Sequence, residues 1–230
     1  MEVNRKQNSI GGIEHIVWDW NGTLLDDAHI CVQSLNTILR KRKMPTIDVQ
    51  EYREQFSFPV REYYERLGFS FDREDWHELA VEFHQAYNSL AKQARLRPHV
   101  HDTLALLKES GYSLAVLSAS ETSVLTSMMA NLNVNGYFTV IQGLSNLYAN
   151  SKIDLGRTLA QEFRFAPGRT LIVGDTDHDF EVARELGWHC LLVCGGHQTE
   201  ARLKACGCPV LPDLSAVPHS IEVCLKARLT

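Results

Sequence analysis

Long apolar runs are missing from this sequence of 230 residues. It contains no stretch of roughly 18 consecutive apolar residues, the length that a transmembrane helix needs. The opening segment, MEVNRKQNSIGG, has no apolar core of the kind found in secretory signal peptides. These absences predict a cytoplasmic protein without a membrane partner, whose first residues form a short disordered lead-in.

An excess of basic side chains is also missing. The sequence has 23 lysines and arginines against 28 aspartates and glutamates, so its formal net charge is −5. A protein that binds nucleic acid through its phosphates usually carries a basic surface. The charge balance therefore predicts no nucleic-acid partner.

The cysteines do not form a recognisable framework. A chain of this length does not depend on disulfides for its core. Cys206 and Cys208 flank a single glycine, whereas a structural zinc site needs about four ligands with CxxC-like spacing. We expect reduced thiols at all six positions, which are Cys31, Cys190, Cys194, Cys206, Cys208 and Cys224.

Short apolar runs alternate with amphipathic segments along most of the chain. The runs read IEHIVW, YSLAVLSAS, YFTVI, RTLIVGD, HCLLVC and PVL. Near-continuous apolar strands separated by helices are typical of a parallel sheet that is covered on both faces. The pattern predicts a doubly wound α/β fold. A last helix is expected to be interrupted by Pro218.

The stretch 29–93 departs from this alternation, because it has helical periodicity and no strand signal. One of its helices is expected to begin after Asp72 as N-cap. The predicted organisation is a core formed by residues 1–28 and 94–230, with residues 29–93 inserted as a small all-helical domain.

Polar residues follow the predicted core strands, at the edge where open α/β sheets bind their ligands. Asp19 follows the first strand and could act as a nucleophile or a metal ligand. Ser118 could bind a phosphate oxygen, and Lys152, at the start of a helix, could neutralise phosphate charge. Asp175 and Asp179 add carboxylates of the kind that Mg²⁺ prefers.

In this order, the motifs DWNGT, LAVLSAS, Lys152 and GDTDHD resemble the four motifs of the haloacid dehalogenase-like hydrolase superfamily. The run GDTDHDFEVARELGW and the following CGGH resemble its phosphoglycolate-phosphatase-like branch in particular. The resemblance implies a Rossmann-like core with a helical cap, and a phosphatase that acts on a small phosphorylated metabolite.

The resemblance also implies a role for each matching residue. Asp19 would be the nucleophile that forms an aspartyl-phosphate. Ser118, Ala119 and Lys152 would bind the transferring phosphoryl group. Mg²⁺ would be held by the Asp19 carboxylate, the backbone carbonyl of Asn21, Asp175, and Asp179 directly or through water.

Asn21 departs from the family pattern, which has a general acid–base aspartate at this position. An amide cannot exchange a proton in this way, and such help is typically worth about 10²–10⁴-fold in rate. Asn21 would therefore slow the chemical step and leave binding intact. One alternative is a substrate with a good leaving group, or an acid supplied by His178 or His29.

Two further alternatives stay open from the sequence. A weakened relative would bind a phosphorylated ligand or a protein partner. A carbon–phosphorus hydrolase would need a cap lysine for a Schiff base, and Lys41, Lys43 and Lys92 are available. A dehalogenase would have no use for the acidic fourth motif.

Five other residues bear on the cleft. Trp18 and Trp20 flank the nucleophile, and one of them is expected to shield the site while the other faces the core. Tyr63 and Tyr64 are expected in the core of the insert, where a ring that faces the cleft would help to select the substrate. Arg97 could form a salt bridge or act as a gate, and closure of the insert about residues 28 and 94 would exclude water.

Overall fold

The computed structural model describes residues 12–145 and 152–226, with side chains described to residue 221. The predicted lead-in, the side chain of Cys224 and most of the loop before Lys152 lie outside these residues. The strands are β1 (His15–Trp18), β2 (Leu25–Asp26), β3 (Arg95–Leu96), β4 (Ser113–Glu121), β5 (Val140–Leu144), β6 (Thr170–Gly174), β7 (His189–Val193) and β8 (Val210–Leu211). The α-helices are α1 (Ala28–Lys41), α2 (Val49–Gln55), α3 (Val60–Arg66), α4 (Trp76–Leu90), α5 (Val100–Glu109), α6 (Thr122–Asn131), α7 (Lys152–Glu162), α8 (Asp177–Leu186), α9 (Glu200–Ala205) and α10 (Val217–Lys226).

Six strands form one parallel sheet in the order β5-β4-β1-β6-β7-β8. The first strand lies near the centre, where His15 pairs with Ser113 on one side and with Thr170 on the other. The strand order reverses at β1, which is where ligands bind in doubly wound sheets. The predicted fold class is confirmed.

Successive side chains of β1 enter separate cores on the two faces of the sheet. Ile16 and Trp18 belong to one apolar cluster, while Val17 packs in another with Ala115 and Ile172. Because adjacent side chains of a strand point to opposite faces, a strand covered on both sides must be apolar throughout. This explains the unbroken apolar runs of the sequence.

The insert has a core of its own, built from one face of α1 and aromatic residues of the following helices. Ile38 and Leu39 of α1 pack there with Tyr63, Tyr64 and other buried residues. Within residues 29–93 the structure contains helices and no strand, as predicted. The short antiparallel pair of β2 and β3 lies next to both ends of the insert. The domain boundaries at residues 28 and 94 stay predictions.

Three local predictions were wrong. The long helix of the insert begins after Asp75, whose side chain accepts the Glu78 N–H at 3.0 Å, and not after Asp72. Pro218 does not interrupt the last helix, because it lies in the first turn of α10, where no N–H is needed. Trp18 and Trp20 are both fully buried in the same core cluster, so neither shields the site.

Two further features concern the cysteines and the length of the helices. Cys31, Cys190, Cys194, Cys206 and Cys208 are free thiols. Across the described ranges, none of the helices combines the length and apolar character required to span a bilayer.

Candidate active site

Asp19 lies directly beyond β1, and its backbone N–H donates to the Val173 carbonyl of β6 at 2.9 Å. Asp175 follows β6, so the parallel pairing of the two strands brings both carboxylates to one edge of the sheet. Lys152 begins α7, as predicted from the sequence. The predicted nucleophile, lysine and acidic motif therefore meet at the switch point of the sheet.

Lys152 lies between two carboxylates. Its Nζ donates to Asp19 Oδ1 at 2.5 Å and to Asp179 Oδ1 at 2.6 Å, and all three side chains are buried. Burial opposes the charge on Lys152, but Asp179 and Asp19 outweigh it and hold the lysine pKa above its usual value. The lysine is therefore a fixed positive charge beside Asp19.

Burial raises the pKa of Asp19 to about 8, because Asp179 and Asp175 reinforce the effect and the opposing charge of Lys152 is too small to cancel it. Burial raises the pKa of Asp175 as well. A site with this excess of buried carboxylate favours a further cation, which would restore the ionised form of Asp19.

Carboxylate oxygens of Asp19, Asp175 and Asp179 all lie within 4.8 Å of one another. An oxygen-only set of this kind suits Mg²⁺. Thr23 fixes the set, since its hydroxyl lies 2.6 Å from Asp175 Oδ1 and 3.2 Å from Asp19 Oδ2. The donor set fits a hard divalent cation.

Gly22 allows the nucleophile loop to approach Asp175 closely. Its φ is +75°, and a Cβ at this position would lie 2.3 Å from Asp175 Oδ2. Both the backbone conformation and the space therefore require glycine. The glycine of DWNGT is explained by the acidic motif that packs against it.

One oxygen of Asp179 is committed to the turn that precedes α8. Its Oδ2 accepts the Thr176 hydroxyl at 2.7 Å and the N–H groups of Thr176 and Asp175 at 3.1 and 3.2 Å. The other oxygen accepts a hydrogen bond from Lys152 Nζ. These contacts favour Asp179 as the residue that orients the lysine and the Asp175 loop, with any contact to a metal made through water.

Asn21 is held by three neighbours. Its Nδ2 donates to Asp27 Oδ2 at 2.7 Å and to the Tyr87 hydroxyl at 3.1 Å, and its Oδ1 accepts the Ser120 hydroxyl at 2.6 Å. The amide thus satisfies both a donor and an acceptor requirement. A carboxylate in its place would confront the carboxylate of Asp27.

Asp27 and His197 form a buried ion pair that sequence reasoning missed. His197 Nε2 lies 3.3 Å from Asp27 Oδ1, and Nδ1 lies 2.9 Å from the Tyr52 hydroxyl. Burial would lower the pKa of His197, but Asp27 reverses this and raises it to about 9. Burial would raise the pKa of Asp27, but His197, Tyr87 and Asn21 bring it below the usual value.

Two signals in the sequence pointed to this pair. Asp27 ends the stretch IVWDWNGTLLDD, directly before the first helix of the insert, and His197 ends the CGGH run after β7. Neither residue is next to a predicted site residue in the chain, so only the fold connects them.

The predicted phosphate-binding residues follow the irregular end of β4. The register of β4 with β5 shifts between Leu117 and Glu121. Ser118 is fully buried and its Oγ accepts the Ser120 N–H at 3.0 Å, whereas Ala119 and Ser120 line the cavity above Asp19. Phosphate binding by Ser118 and Ala119 stays a prediction.

The cavity above Asp19 and Lys152 has a volume of about 170 Å³ and lies between the sheet edge and the insert. Tyr63 and Tyr64 both line it, which makes them part of the cleft as well as of the insert core. Lys152 is the sole lysine or arginine among the described residues that form its wall.

Other predicted participants lie elsewhere. His178 stacks on Phe58 and lies 3.0 Å from Glu181, and the exposed His29 lies 3.9 Å from Asp26. Neither histidine lines the cavity. Lys41 is exposed and pairs with Glu82 at 2.6 Å, and Lys43 and Lys92 are absent from the cavity wall.

Arg97 has a positioning role. Its guanidinium donates to the Gly22 carbonyl at 2.8 Å and to the Cys194 carbonyl. It therefore joins the nucleophile loop to the loop after β7. This contact is neither the salt bridge nor the gate considered for Arg97 from the sequence.

Comparisons with known proteins agree with this geometry. A probable phosphatase, IndB, from Dickeya dadantii is 27% identical over 92% of this chain and 94% of its own length. A phosphoglycolate phosphatase from Synechococcus elongatus is 24% identical over 86% of this chain and 91% of its own. A solved haloacid dehalogenase-like hydrolase from Streptococcus pneumoniae superposes with a TM-score of 0.80 at 25% identity, covering 91% of this chain and 98% of its own.

The family model described as "Haloacid dehalogenase-like hydrolase" matches residues 16–193. This match spans the nucleophile strand, the insert and the sheet through β7. The prediction of a hydrolase that acts on phosphate esters is confirmed by the phosphatase relatives. The chain belongs to the haloacid dehalogenase-like hydrolase family.

Proposed function

We propose that this protein is a cytoplasmic, Mg²⁺-dependent phosphatase that cleaves the phosphate monoester of a small metabolite through an aspartyl-phosphate on Asp19. The observation that carries the proposal is the placement of Lys152 Nζ between Asp19 and Asp179, with Asp175 beside them. The relatives named as phosphatases support the same reaction.

Asp19 and Asp175 would hold Mg²⁺ together with the backbone carbonyl of Asn21, and Asp179 would contact it through water. When bound, the ion would withdraw negative charge from the phosphoryl oxygens. Phosphoryl transfer depends mainly on positioning and charge neutralisation. The buried carboxylates and the lysine provide both.

In the first step, an Asp19 carboxylate oxygen bonds to phosphorus while the bond between phosphorus and the ester oxygen breaks. Lys152 holds the nucleophile in place and offsets the charge of the phosphoryl group. In the second step, water attacks the phosphorus of the aspartyl-phosphate, which releases inorganic phosphate and regenerates Asp19. Ser118 and Ala119 would support the phosphoryl oxygens in both steps.

Asn21 cannot protonate the departing oxygen, because an amide N–H is far too weak an acid. Its nitrogen also donates already to Asp27 and Tyr87. The rate should therefore depend strongly on how stable the leaving group is as an anion. Loss of general acid catalysis is worth about 10²–10⁴-fold for a poor leaving group.

The alternative of carbon–phosphorus cleavage is less well supported. A Schiff-base mechanism requires a lysine in the substrate cavity. Within the described part of the cavity wall, Lys152 is the lone lysine, and it is held between two carboxylates.

The test is Mg²⁺-dependent phosphate release from a graded set of esters, from p-nitrophenyl phosphate to phosphoglycolate, with Asp19→Ala as the blank. We expect release from p-nitrophenyl phosphate and a steep fall as the leaving group becomes more basic. A chelator should abolish release. If no ester is hydrolysed faster than by the blank, the proposal is wrong.

A further inference from the structure

The substrate cavity is walled by aromatic rings of the insert. They come from α2, α3, α4 and the segment between α2 and α3, and include Tyr52, Phe56, Phe58, Tyr63, Tyr64 and Phe83. Several meet edge-to-face, such as Tyr52 with Tyr63 at 5.9 Å and Phe56 with Tyr63 at 5.4 Å between ring centroids. Aromatic walls of this kind favour another ring as ligand.

The volume of the cavity fits a single ring. It measures about 170 Å³. A dry apolar cavity of about 150 Å³ in a protein core takes up benzene. A fused polycyclic compound would exceed this volume and would extend through the open side of the cavity.

Among the residues that the structure describes, the wall offers little to a second anionic group on the substrate. Lys152 is already bound by Asp19 and Asp179, and His197 is paired with Asp27. Glu121 on the wall adds a negative charge, and His84 interacts electrostatically with it. A carboxylate such as that of phosphoglycolate would lose its hydration among these apolar rings without gaining an unpaired cation from the described wall.

The hydroxyl of Tyr63 provides an independent observation. Tyr63 lines the cavity and is 1% exposed, yet its oxygen has no hydrogen-bond partner among the residues that the structure describes. Buried hydroxyl groups are nearly always hydrogen-bonded, because an unmet one is costly. The oxygen itself has almost no accessible surface, so a polar atom of the ligand would meet this requirement once the Tyr63 ring turns its hydroxyl toward the cavity.

On the basis of the proposed function, we propose that the substrate is a phosphate monoester of a neutral, single-ring alcohol. The ring lies among the aromatic residues of the insert, and a polar group on it hydrogen-bonds to Tyr63. A small phosphate ester that also carries a carboxylate is disfavoured.

Binding of phosphonates, measured by titration calorimetry with Mg²⁺ present, tests this without requiring turnover. The ligands are ethylphosphonate, 3-phosphonopropionate as the phosphoglycolate analogue, 2-phenylethylphosphonate, and its three hydroxyphenyl isomers. We expect 2-phenylethylphosphonate to bind at least about tenfold more tightly than the first two, the gain expected from burying one ring. One hydroxyphenyl isomer should bind more tightly still.

Three variants locate the effect. Tyr63→Phe should remove the advantage of the hydroxyphenyl isomer and leave binding of 2-phenylethylphosphonate unchanged. Phe58→Leu should weaken binding of the phenyl ligand but not of ethylphosphonate. Phe71→Leu, a half-buried aromatic residue of the insert outside the cavity wall, should leave all affinities unchanged.

Several outcomes would overturn the inference. These are binding of 3-phosphonopropionate as tight as that of the phenyl ligand, no binding of any aryl phosphonate at millimolar concentration, and no hydroxyphenyl isomer that depends on Tyr63. Aryl binding in a protein that hydrolyses no ester would instead refute the proposed phosphatase function.

Discussion

At the scale of single residues, Asn21 matters because of what surrounds it. Its amide separates the Asp27 carboxylate from the Ser120 hydroxyl and hydrogen-bonds to both. Asp27 is in turn the partner of His197 and Tyr87. The general acid–base position of the family is here part of a buried polar network, so its side chain cannot be exchanged independently of Asp27.

Asn21→Asp should destabilise the protein, because two buried carboxylates would then meet where a 2.7 Å hydrogen bond now exists. We expect a loss of roughly 1–3 kcal/mol in the free energy of unfolding, measured by urea denaturation. The double variant Asn21→Asp/Asp27→Asn should recover much of this loss, since it restores one amide and one carboxylate. A double variant that is less stable than Asn21→Asp would contradict the argument.

The charge on His197 predicts a pH dependence. Its pKa is about 9 in the folded protein against 6.5 for the free side chain. Because the folded value is the higher one, the stabilisation is complete below pH 6.5, declines above it and is lost beyond about pH 9. Its full size is about 3 kcal/mol.

The measurement is urea unfolding of metal-free wild type and His197→Gln between pH 6 and 10. The raised pKa of Asp19 also makes the stability fall as pH rises, but it does so in both proteins. The difference between their free energies of unfolding therefore separates the contribution of His197 from that of Asp19. The wild-type advantage should shrink with rising pH. An advantage that does not change with pH would contradict a charged His197.

At the scale of elements, the sequence specified the sheet better than the insert. Apolar strands such as β6 are unambiguous because both faces are covered, and Asp175 follows directly. In contrast, α2 buries only Tyr52 among its seven residues, so the sequence of the helical insert gives little to fix its bounds. The prediction that Trp18 and Trp20 have different environments was wrong, because the chain turns back into the core after β1. The alternation of side chains along a strand does not apply to residues in such a turn.

The start of α4 offers a test of such local reasoning. Both Asp72 and Asp75 are capping residue types, but the structure assigns the cap to Asp75. Asp75→Ala should lower the free energy of unfolding by about 1 kcal/mol, the usual value of an N-cap. Asp72→Ala should change it little, and equal losses in the two variants would contradict the assignment.

At the scale of the whole molecule, the site is built between the insert and the core. Tyr52 reaches His197, and Tyr87 reaches Asp27. Arg53 of α2 donates to the carbonyls of Gly196 and Gly195 at 2.7 and 2.8 Å. Sequence patterns predicted that Asp19, Lys152 and the acidic motif lie at one edge of the sheet, but long-range contacts of this kind leave no local signal.

Arg53→Ala should loosen the insert from the core. Amide hydrogen exchange in α2 should accelerate about tenfold or more, because two hydrogen bonds that link α2 to the core are removed. Arg40→Ala, at an exposed arginine of α1, serves as the control and should leave exchange in α2 unchanged. If both variants exchange alike, the Arg53 contacts do not hold the insert.

During synthesis of the chain, the site can form only after the last of its contacting residues has been added. Lys152 and Asp19 are 133 positions apart, and Thr23 and Asp175 are 152 apart. At synthesis rates of about 5–20 residues per second, roughly 7–30 seconds separate Asp19 and Thr23 from these partners. The first strand must wait equally long for β6, which pairs with it in the sheet. A ribosome-bound chain therefore contains Asp19 early, but Lys152 and the loop that carries Asp175 are added late.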